Sequence, residues 1–309
     1  MNPFVFIVGC PRSGTTLVQR VLNANPELAI TPESHWVPRL AVKPWAMTGD
    51  GRITSKLVQR LLAHRKFSRL LISQEQVLGI VASNPCVSYS CLVSQIFDLY
   101  GEMHGKPLVG DKTPANVRRI DILHRFWPSA RFVHVIRDGR DVALSMLEWP
   151  KVCPKPGDFA TWSEDPVSTA ALWWEVNVKC GREARKSLSP ELYYELRYES
   201  LVANPREQIT ALCCFLGLAF DDSMLEFHAA RNGADPGLEK KFSGVPITRG
   251  LRDWRSQMTA QQVEKFEAMV GEFLQNLGYP RAVPHPSSTA LLNSRRMRES
   301  FAQDPRTQN

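Results

Sequence analysis

The sequence predicts a three-layer α/β fold: a central parallel sheet, a P-loop-type phosphate-binding loop, and helices on both faces. Three observations lead there. Short apolar runs rich in β-branched and aromatic residues alternate with stretches of helical periodicity, the order that builds a parallel sheet covered on both sides. The first run, Phe4-Val5-Phe6-Ile7-Val8, stops at Gly9. A glycine-containing octapeptide from Gly9 to Thr16 then joins that run to the first helical stretch.

Phe4 to Val8 is apolar without alternation, as a strand buried on both faces must be. Leu28-Ala29-Ile30, Leu108-Val109, Phe132 to Ile136 and Leu192 to Leu196 continue the series of strands. Helical patterns run from Thr15 to Asn23, Lys56 to Leu71, Ala115 to Phe126, Asp141 to Leu147, Ser168 to Ser187 and Pro205 to Leu216. A last one, Ala260 to Leu277, places Val263, Phe266, Met269, Val270, Phe273 and Leu274 on one face. Residues 1–280 are expected to form one domain with two insertions on the acceptor side. One, 37–105, is largely helical; the other, 149–166, is an irregular loop holding Pro150, Pro154, Pro156 and Pro166. Beyond Pro280 the chain turns Pro-, Ser- and Arg-rich, and 281–309 is expected to be a loosely attached tail.

Composition narrows the class. Of 309 residues 43% are hydrophobic and 22% charged, which suits a globular enzyme. The net charge of +7 comes from scattered basic residues with no long Lys/Arg run, so a polyanionic small ligand is favoured and nucleic acid is not. The seven cysteines include no C-x-x-C pair, which supports neither a zinc site nor a redox motif. Met1-Asn2-Pro3-Phe4 runs into an apolar segment too short for a signal or a membrane span. The expectation is a reduced, cytoplasmic protein, with which a homodimer is compatible.

The sharpest motif is Gly9-Cys10-Pro11-Arg12-Ser13-Gly14-Thr15-Thr16. Successive N–H groups at a helix start can hold an anion, and the residues Arg12, Ser13, Gly14, Thr15 and Thr16 carry that task here. An ATP-type loop needs a lysine after its second glycine; Thr15 stands there, and Arg12 supplies the positive charge instead. A second motif, Arg137-Asp138-Gly139-Arg140-Asp141, follows the strand Phe132 to Ile136, so Arg137 stands at a strand's carboxyl end, where open α/β sheets bind ligands. Ser145 lies two helical turns further on.

Pro11 to Thr16 resembles the 5′-phosphosulfate loop of sulfotransferases that use 3′-phosphoadenosine-5′-phosphosulfate (PAPS). The wider stretch Pro11 to Pro38 is similar to the tyrosylprotein sulfotransferases and their bacterial relatives. The resemblance covers 4–36 and 108–146 clearly and 192–280 weakly, and nothing family-specific lies in 40–105. It implies a parallel-sheet fold related to nucleotide kinases, PAPS as donor, a hydroxyl-bearing acceptor (tyrosyl, carbohydrate or small-molecule) and no metal in transfer. It implies that Arg137 and Ser145 hold the 3′-phosphate, to which an arginine fork is matched. Arg249, in Arg249-Gly250-Leu251-Arg252-Asp253-Trp254, resembles the segment that closes over that phosphate, with one residue fewer between Gly and Asp. Tyr198, in Tyr198-Glu199-Ser200-Leu201, resembles a recurrent Tyr-Glu-x-Leu segment; cofactor contact and packing at a sheet end fit it equally.

Transfer to a hydroxyl requires a base. The resemblance assigns this role to Glu33, twenty-one residues after Arg12, and gives Lys112 the leaving phosphate and the sulfuryl oxygens. Many cytosolic members place a histidine directly after a Lys-Thr pair. Here Asp111-Lys112-Thr113-Pro114 has none, which strengthens Glu33. His35 is the second candidate; the family has arginine at its position. Trp149 and Trp162 are expected beside the acceptor. Two rival functions are a P-loop kinase acting on a small molecule, disfavoured by the missing loop lysine, and a non-catalytic nucleotide-binding module, disfavoured by the intact Arg12, Glu33 and Lys112.

Overall fold

A computed structural model of the chain describes residues 3–84, 87–148, 159–228, 246–248, 250 and 252–304. Five strands, β1 (Val5–Gly9), β2 (Leu28–Thr31), β3 (Leu108–Lys112), β4 (Arg131–Ile136) and β5 (Tyr193–Arg197), form one sheet in the order β2-β3-β1-β4-β5. Every neighbouring pair is parallel, and Val5 lies level with Gly110 on one side and Arg131 on the other. After β1 comes α1 (Thr15–Ala24); between β2 and β3 the chain builds α2 (Trp36–Ala41), α3 (Ser55–Leu62), α4 (Gln74–Ser83) and α5 (Tyr89–Met103). Then follow α6 (Ile120–Phe126) before β4, and α7 (Gly139–Leu147) and α8 (Pro166–Arg185) before β5. After β5 come α9 (Tyr198–Ala203), α10 (Pro205–Leu216), α11 (Trp254–Gln257), α12 (Ala260–Asn276) and α13 (Ser288–Ala302).

The pleat of β1 shows why both faces are covered. Phe6 and Val8 join Phe97, Phe132 and Trp36 on one side, while Val5 and Ile7 join Val18, Leu22, Ile209 and Leu212 on the other. A third apolar cluster, with Val142, Trp174, Phe266 and Met297, locks α7, α8, α12 and α13 together. No helix among the described residues is long and apolar enough to cross a membrane.

Several expected elements are corrected. The single helix from Lys56 to Leu71 is α3 followed by a separate 3₁₀ turn, Phe67–Leu70. Its buried residues Leu57, Val58 and Leu61 share one helical phase, and Phe67 and Leu70 fall out of it, so the chain must break to bury both sets. Ala115 to Phe126 likewise begins as a 3₁₀ turn, Pro114–Arg119, before α6. The tail is not loose over 281–302. Its helix α13 buries Met297 and Phe301, four residues apart on one face, and Arg298 donates to Glu175 Oε2 (2.6 Å) and to the Met269 carbonyl (2.6 Å). Two apolar anchors in a polar helix leave no periodicity to read. Of the expected irregular loop 149–166, residues 149–158, Trp149 among them, lie outside the described residues.

Candidate active site

All the loops that matter leave the carboxyl ends of adjacent strands, so the sheet order itself brings them together. The loop after β1 turns tightly, with Ser13 N donating to Cys10 O at 3.1 Å. It enters α1 at Gly14, whose φ of +95° is left-handed; a Cβ there would lie 2.4 Å from Tyr198 Cδ2. Only glycine meets both conditions. Arg12 is itself left-handed, with φ of 77°. The first N–H groups of α1 have no carbonyl of their own helix to bond. Ser13 is fully buried, and its Oγ has no hydrogen-bond partner among the described residues.

β4 lies beside β1, and its end carries the second cluster. Arg137 is 6% exposed, its guanidinium 4.2 Å from the ring centre of Tyr198 and Nη2 3.5 Å from Asp141 Oδ2. Its Nε is buried without a partner among the described residues. From the helix α7, Ser145 Oγ accepts from Arg12 Nε at 2.9 Å, joining the two loops. Contacts thus join five of the sequence candidates, Arg12, Gly14, Arg137, Ser145 and Tyr198, into one cluster. Beneath it runs a buried polar scaffold. Arg140, 0% exposed, donates to both oxygens of Asp138, to Glu267 Oε1 (2.6 Å) and to the Pro280 carbonyl (2.9 Å). Trp254 donates through Nε1 to Asp138 (3.2 Å) and through its backbone N–H to Asp141 (2.9 Å). Arg252 forks onto Glu148, which caps the end of α7. The Arg252-to-Trp254 segment therefore docks on α7, and Arg249 lies outside the described residues.

Burial pushes the Asp141 carboxyl up, against the pull of Arg137 and the Trp254 N–H, to about 6.

The third cluster joins β3 to the loop after β2. Lys112 Nζ, on a side chain 6% exposed, donates to Glu33 Oε1 at 2.9 Å and to Thr16 Oγ1 at 3.4 Å. It stands between the start of α1 and the candidate base. His35 Nε2 is hydrogen-bonded to Glu33 Oε2 at 3.0 Å, and Lys66 Nζ lies 3.6 Å from the same oxygen. Burial raises the Glu33 carboxyl, yet the His35 bond and the Lys112 ammonium more than offset it and hold the group well below the usual carboxylate range. Asp111, fully buried, pins this loop: its Oδ1 accepts from Thr31 Oγ1 (3.2 Å), Ser34 N (3.3 Å) and Thr113 Oγ1 (3.2 Å), and Oδ2 accepts from Asn116 (3.1 Å). Burial raises its carboxyl as well.

The arrangement offers chemistry in sequence: cations and N–H groups for an anion, an ammonium bridging to a carboxylate, and that carboxylate 30% exposed toward solvent. Sequence reasoning missed Lys66, Asp111, Asp141, Arg140 and Glu267. Asp111 and Asp141 lie inside motifs already singled out and could have been found there; Lys66 and Glu267 carry no sequence signal. Trp162 is partly buried and packs on the α7, α8 and α12 cluster.

Residues 3–222 match the sequence model of the family described as "Sulfotransferase family". The chain is 25% identical to the putative protein-tyrosine sulfotransferase of Caenorhabditis briggsae, over 91% of both chains. It is 25% identical to protein-tyrosine sulfotransferase 1 of Danio rerio, over 96% of this chain and 79% of that protein. It is also 25% identical to the nodulation protein NoeE of Sinorhizobium fredii, over 93% of this chain and 68% of that one. Among solved structures, the sulfotransferase domain of the Synechococcus PCC 7002 olefin synthase is similar in fold. Its TM-score is 0.62 at 21% identity, over 98% of this chain and 95% of that chain.

Proposed function

The chain belongs to the sulfotransferase family, and we propose that it moves a sulfuryl group from PAPS to a hydroxyl acceptor, by in-line displacement with Glu33 as base. The observation that carries this reading is the position of Lys112, within reach of Thr16 at the donor loop and of Glu33 at once. An ammonium there can follow charge from the acceptor side to the leaving side as the reaction proceeds.

The residues present fit the donor. Ser13 Oγ and Arg137 Nε are buried polar atoms with no partner among the described residues, a costly state that a phosphate oxygen relieves. Arg12, Ser13, Gly14, Thr15 and Thr16 would hold the 5′-phosphosulfate, and Arg137 and Ser145 the 3′-phosphate, with Tyr198 stacked behind Arg137. Bound there, PAPS supplies a sulfuryl group whose bond to a phosphate oxygen is the one broken. Glu33 takes the proton of the acceptor hydroxyl. Lys112 and Arg12 offset the charge that gathers on the leaving oxygen, the task a metal ion performs in nucleotide kinases. The cytoplasmic reading rests on the thiols: Cys10 and Cys213 are buried, and every cysteine among the described residues is free.

The test is nucleotide choice. Adenosine-3′,5′-bisphosphate should bind roughly ten- to a hundred-fold more tightly than AMP by calorimetry, the worth of one buried charge-assisted contact. Equal affinities would remove the 3′-phosphate from Arg137 and Ser145 and PAPS with it.

A further inference from the structure

A carboxylate that serves as a base needs one oxygen clear for the incoming proton. In this protein both oxygens of Glu33 are engaged: the Lys112 ammonium stands at Oε1, and the His35 ring and the Lys66 ammonium stand at Oε2. The two sides differ in what can move. Lys112 has a second destination, since its ammonium already touches Thr16 at the donor loop. His35 and Lys66 rise from backbone that is itself fixed. His35 turns back onto a residue two positions earlier because its φ is 52°, a left-handed conformation that a residue with a Cβ adopts only where its surroundings hold it. Lys66 comes from the opposite direction, out of the connection between α3 and α4. Its backbone N–H donates to His64 Nδ1 at 3.2 Å, and the turn that follows is anchored by buried Phe67 and Leu70.

We propose that His35 and Lys66 are positioning residues that clamp Oε2 of Glu33 and thereby assign proton transfer to Oε1. The proposal rests on the reading of Glu33 as base. When Lys112 turns to the phosphosulfate, Oε1 is exposed and Oε2 stays held. The acceptor O–H bond breaks as its proton passes to Oε1, and the acceptor oxygen forms the new S–O bond. The old S–O bond breaks with its electron pair left on the phosphate oxygen, and neutral Glu33 later releases the proton to solvent. The clamp fixes which lone pair meets the hydroxyl, and a misplacement of about 1 Å at such a point can cost a hundred-fold in rate. Lys66 belongs to the region 40–105, in which the sequence shows no family motif.

Three groups face Glu33: the Lys112 ammonium from β3, the His35 ring from its own loop and the Lys66 ammonium from the α3–α4 connection. Each favours the ionised carboxylate. Removing Lys66 therefore raises the pH at which Glu33 takes up a proton, and a base must be ionised to work. With donor saturating, Lys66→Met should lower kcat roughly ten- to a hundred-fold and move the acid limb of kcat/KM for the acceptor to higher pH. Lys66→Arg should restore most of both. The affinity for adenosine-3′,5′-bisphosphate should not change. Followed by carbon-13 NMR in the adenosine-3′,5′-bisphosphate complex, the Glu33 carboxyl should titrate at higher pH in Lys66→Met than in the wild type. His35→Gln keeps a donor for Oε2 but cannot serve as a base, so it should retain most of the rate. Glu33→Gln tests the underlying reading by itself: a near wild-type rate overturns the base. An inactive Glu33→Gln together with an unmoved rate, acid limb and carboxyl titration in Lys66→Met leaves the base standing and overturns the clamp. A His35→Gln as inactive as Glu33→Gln overturns it too, and gives the proton to His35.

Discussion

Asp141 shows what the site costs the fold. Its carboxyl is 3.5 Å from Arg137 and accepts the Trp254 N–H, yet burial still outweighs both and its pKa stands at about 6. An unfolded aspartate titrates near ~4. Between those values the folded chain binds the proton more strongly than the unfolded one, so stability contributed at this residue falls as pH rises through that window. Above it the folded protein carries an ionised, poorly solvated carboxylate. Asp141→Asn, close in shape to the protonated acid, should therefore raise Tm at neutral pH, and the gain should shrink as pH falls toward ~4. Calorimetric scans of both proteins across this range check it; a gain independent of pH would show that Asp141 does not titrate as its burial requires. The carboxylate is tolerated because it orients Arg137 and seats the segment Arg252 to Trp254 on α7, where Arg252 meets Glu148.

At the scale of elements, the loop between β1 and α1 depends on one glycine for two separate reasons. Gly14 sits at φ of +95°, and its missing side chain leaves the space that the Tyr198 ring fills. Gly14→Ala meets the backbone strain of about 1–3 kcal/mol and a contact of 2.4 Å that Tyr198 must yield to. Tyr198 cannot move alone, because it supports Arg137 at 4.2 Å. The substitution should thus act on both ends of the nucleotide at once. Affinity for adenosine-3′,5′-bisphosphate should fall at least roughly ten-fold by calorimetry, while affinity for AMP, which lacks the 3′-phosphate, should fall less. An equal loss for both ligands would mean that the strain stays within the loop and that Tyr198 does not transmit it.

Across the whole molecule, the C-terminal segment is tied to the polar scaffold beneath Arg137. Glu267 of α12 accepts from Arg140 and from the backbone N–H groups of Ala282 (3.0 Å) and Val283 (2.7 Å), and Arg140 also bonds the Pro280 carbonyl. Glu199 ties the start of α7 to Tyr279, accepting from Asp138 N at 2.8 Å and from the Tyr279 hydroxyl at 3.1 Å. Beyond this belt α13 lays Met297 and Phe301 against α8 and α12. Ending the chain at Pro286 would strip those two side chains from the core, at about 2–5 kcal/mol each. Tm should drop by roughly 10 °C or more, whereas a loosely attached tail could be removed without effect. Circular dichroism melts of the full and shortened chains distinguish the two.

The strands and the junction from β1 through Gly14 into α1 could be read from the sequence alone, because both are local. An apolar run ending in glycine before a helical period states strand, loop and helix within twenty residues or so, and β1, Gly14 and α1 lie where that pattern puts them. The places of Arg12, Arg137, Glu33 and Lys112 in the fold were legible for the same reason, each standing at the end of a readable strand or just beyond it, with Ser145 two turns into the helix after β4. Only the tertiary structure decided which of them meet. That Lys112 bridges Thr16 and Glu33 follows from β1 and β2 both pairing with β3, a register no single stretch encodes. Lys66 reaches Glu33 across 33 residues of sequence, and Glu267 reaches Arg140 across 127. Such contacts leave no periodicity and no motif, because their energy comes from burial and charge pairing between elements. The same physics hid α13: two apolar side chains suffice to hold a helix once a core exists to receive them, and they are too few to announce it beforehand.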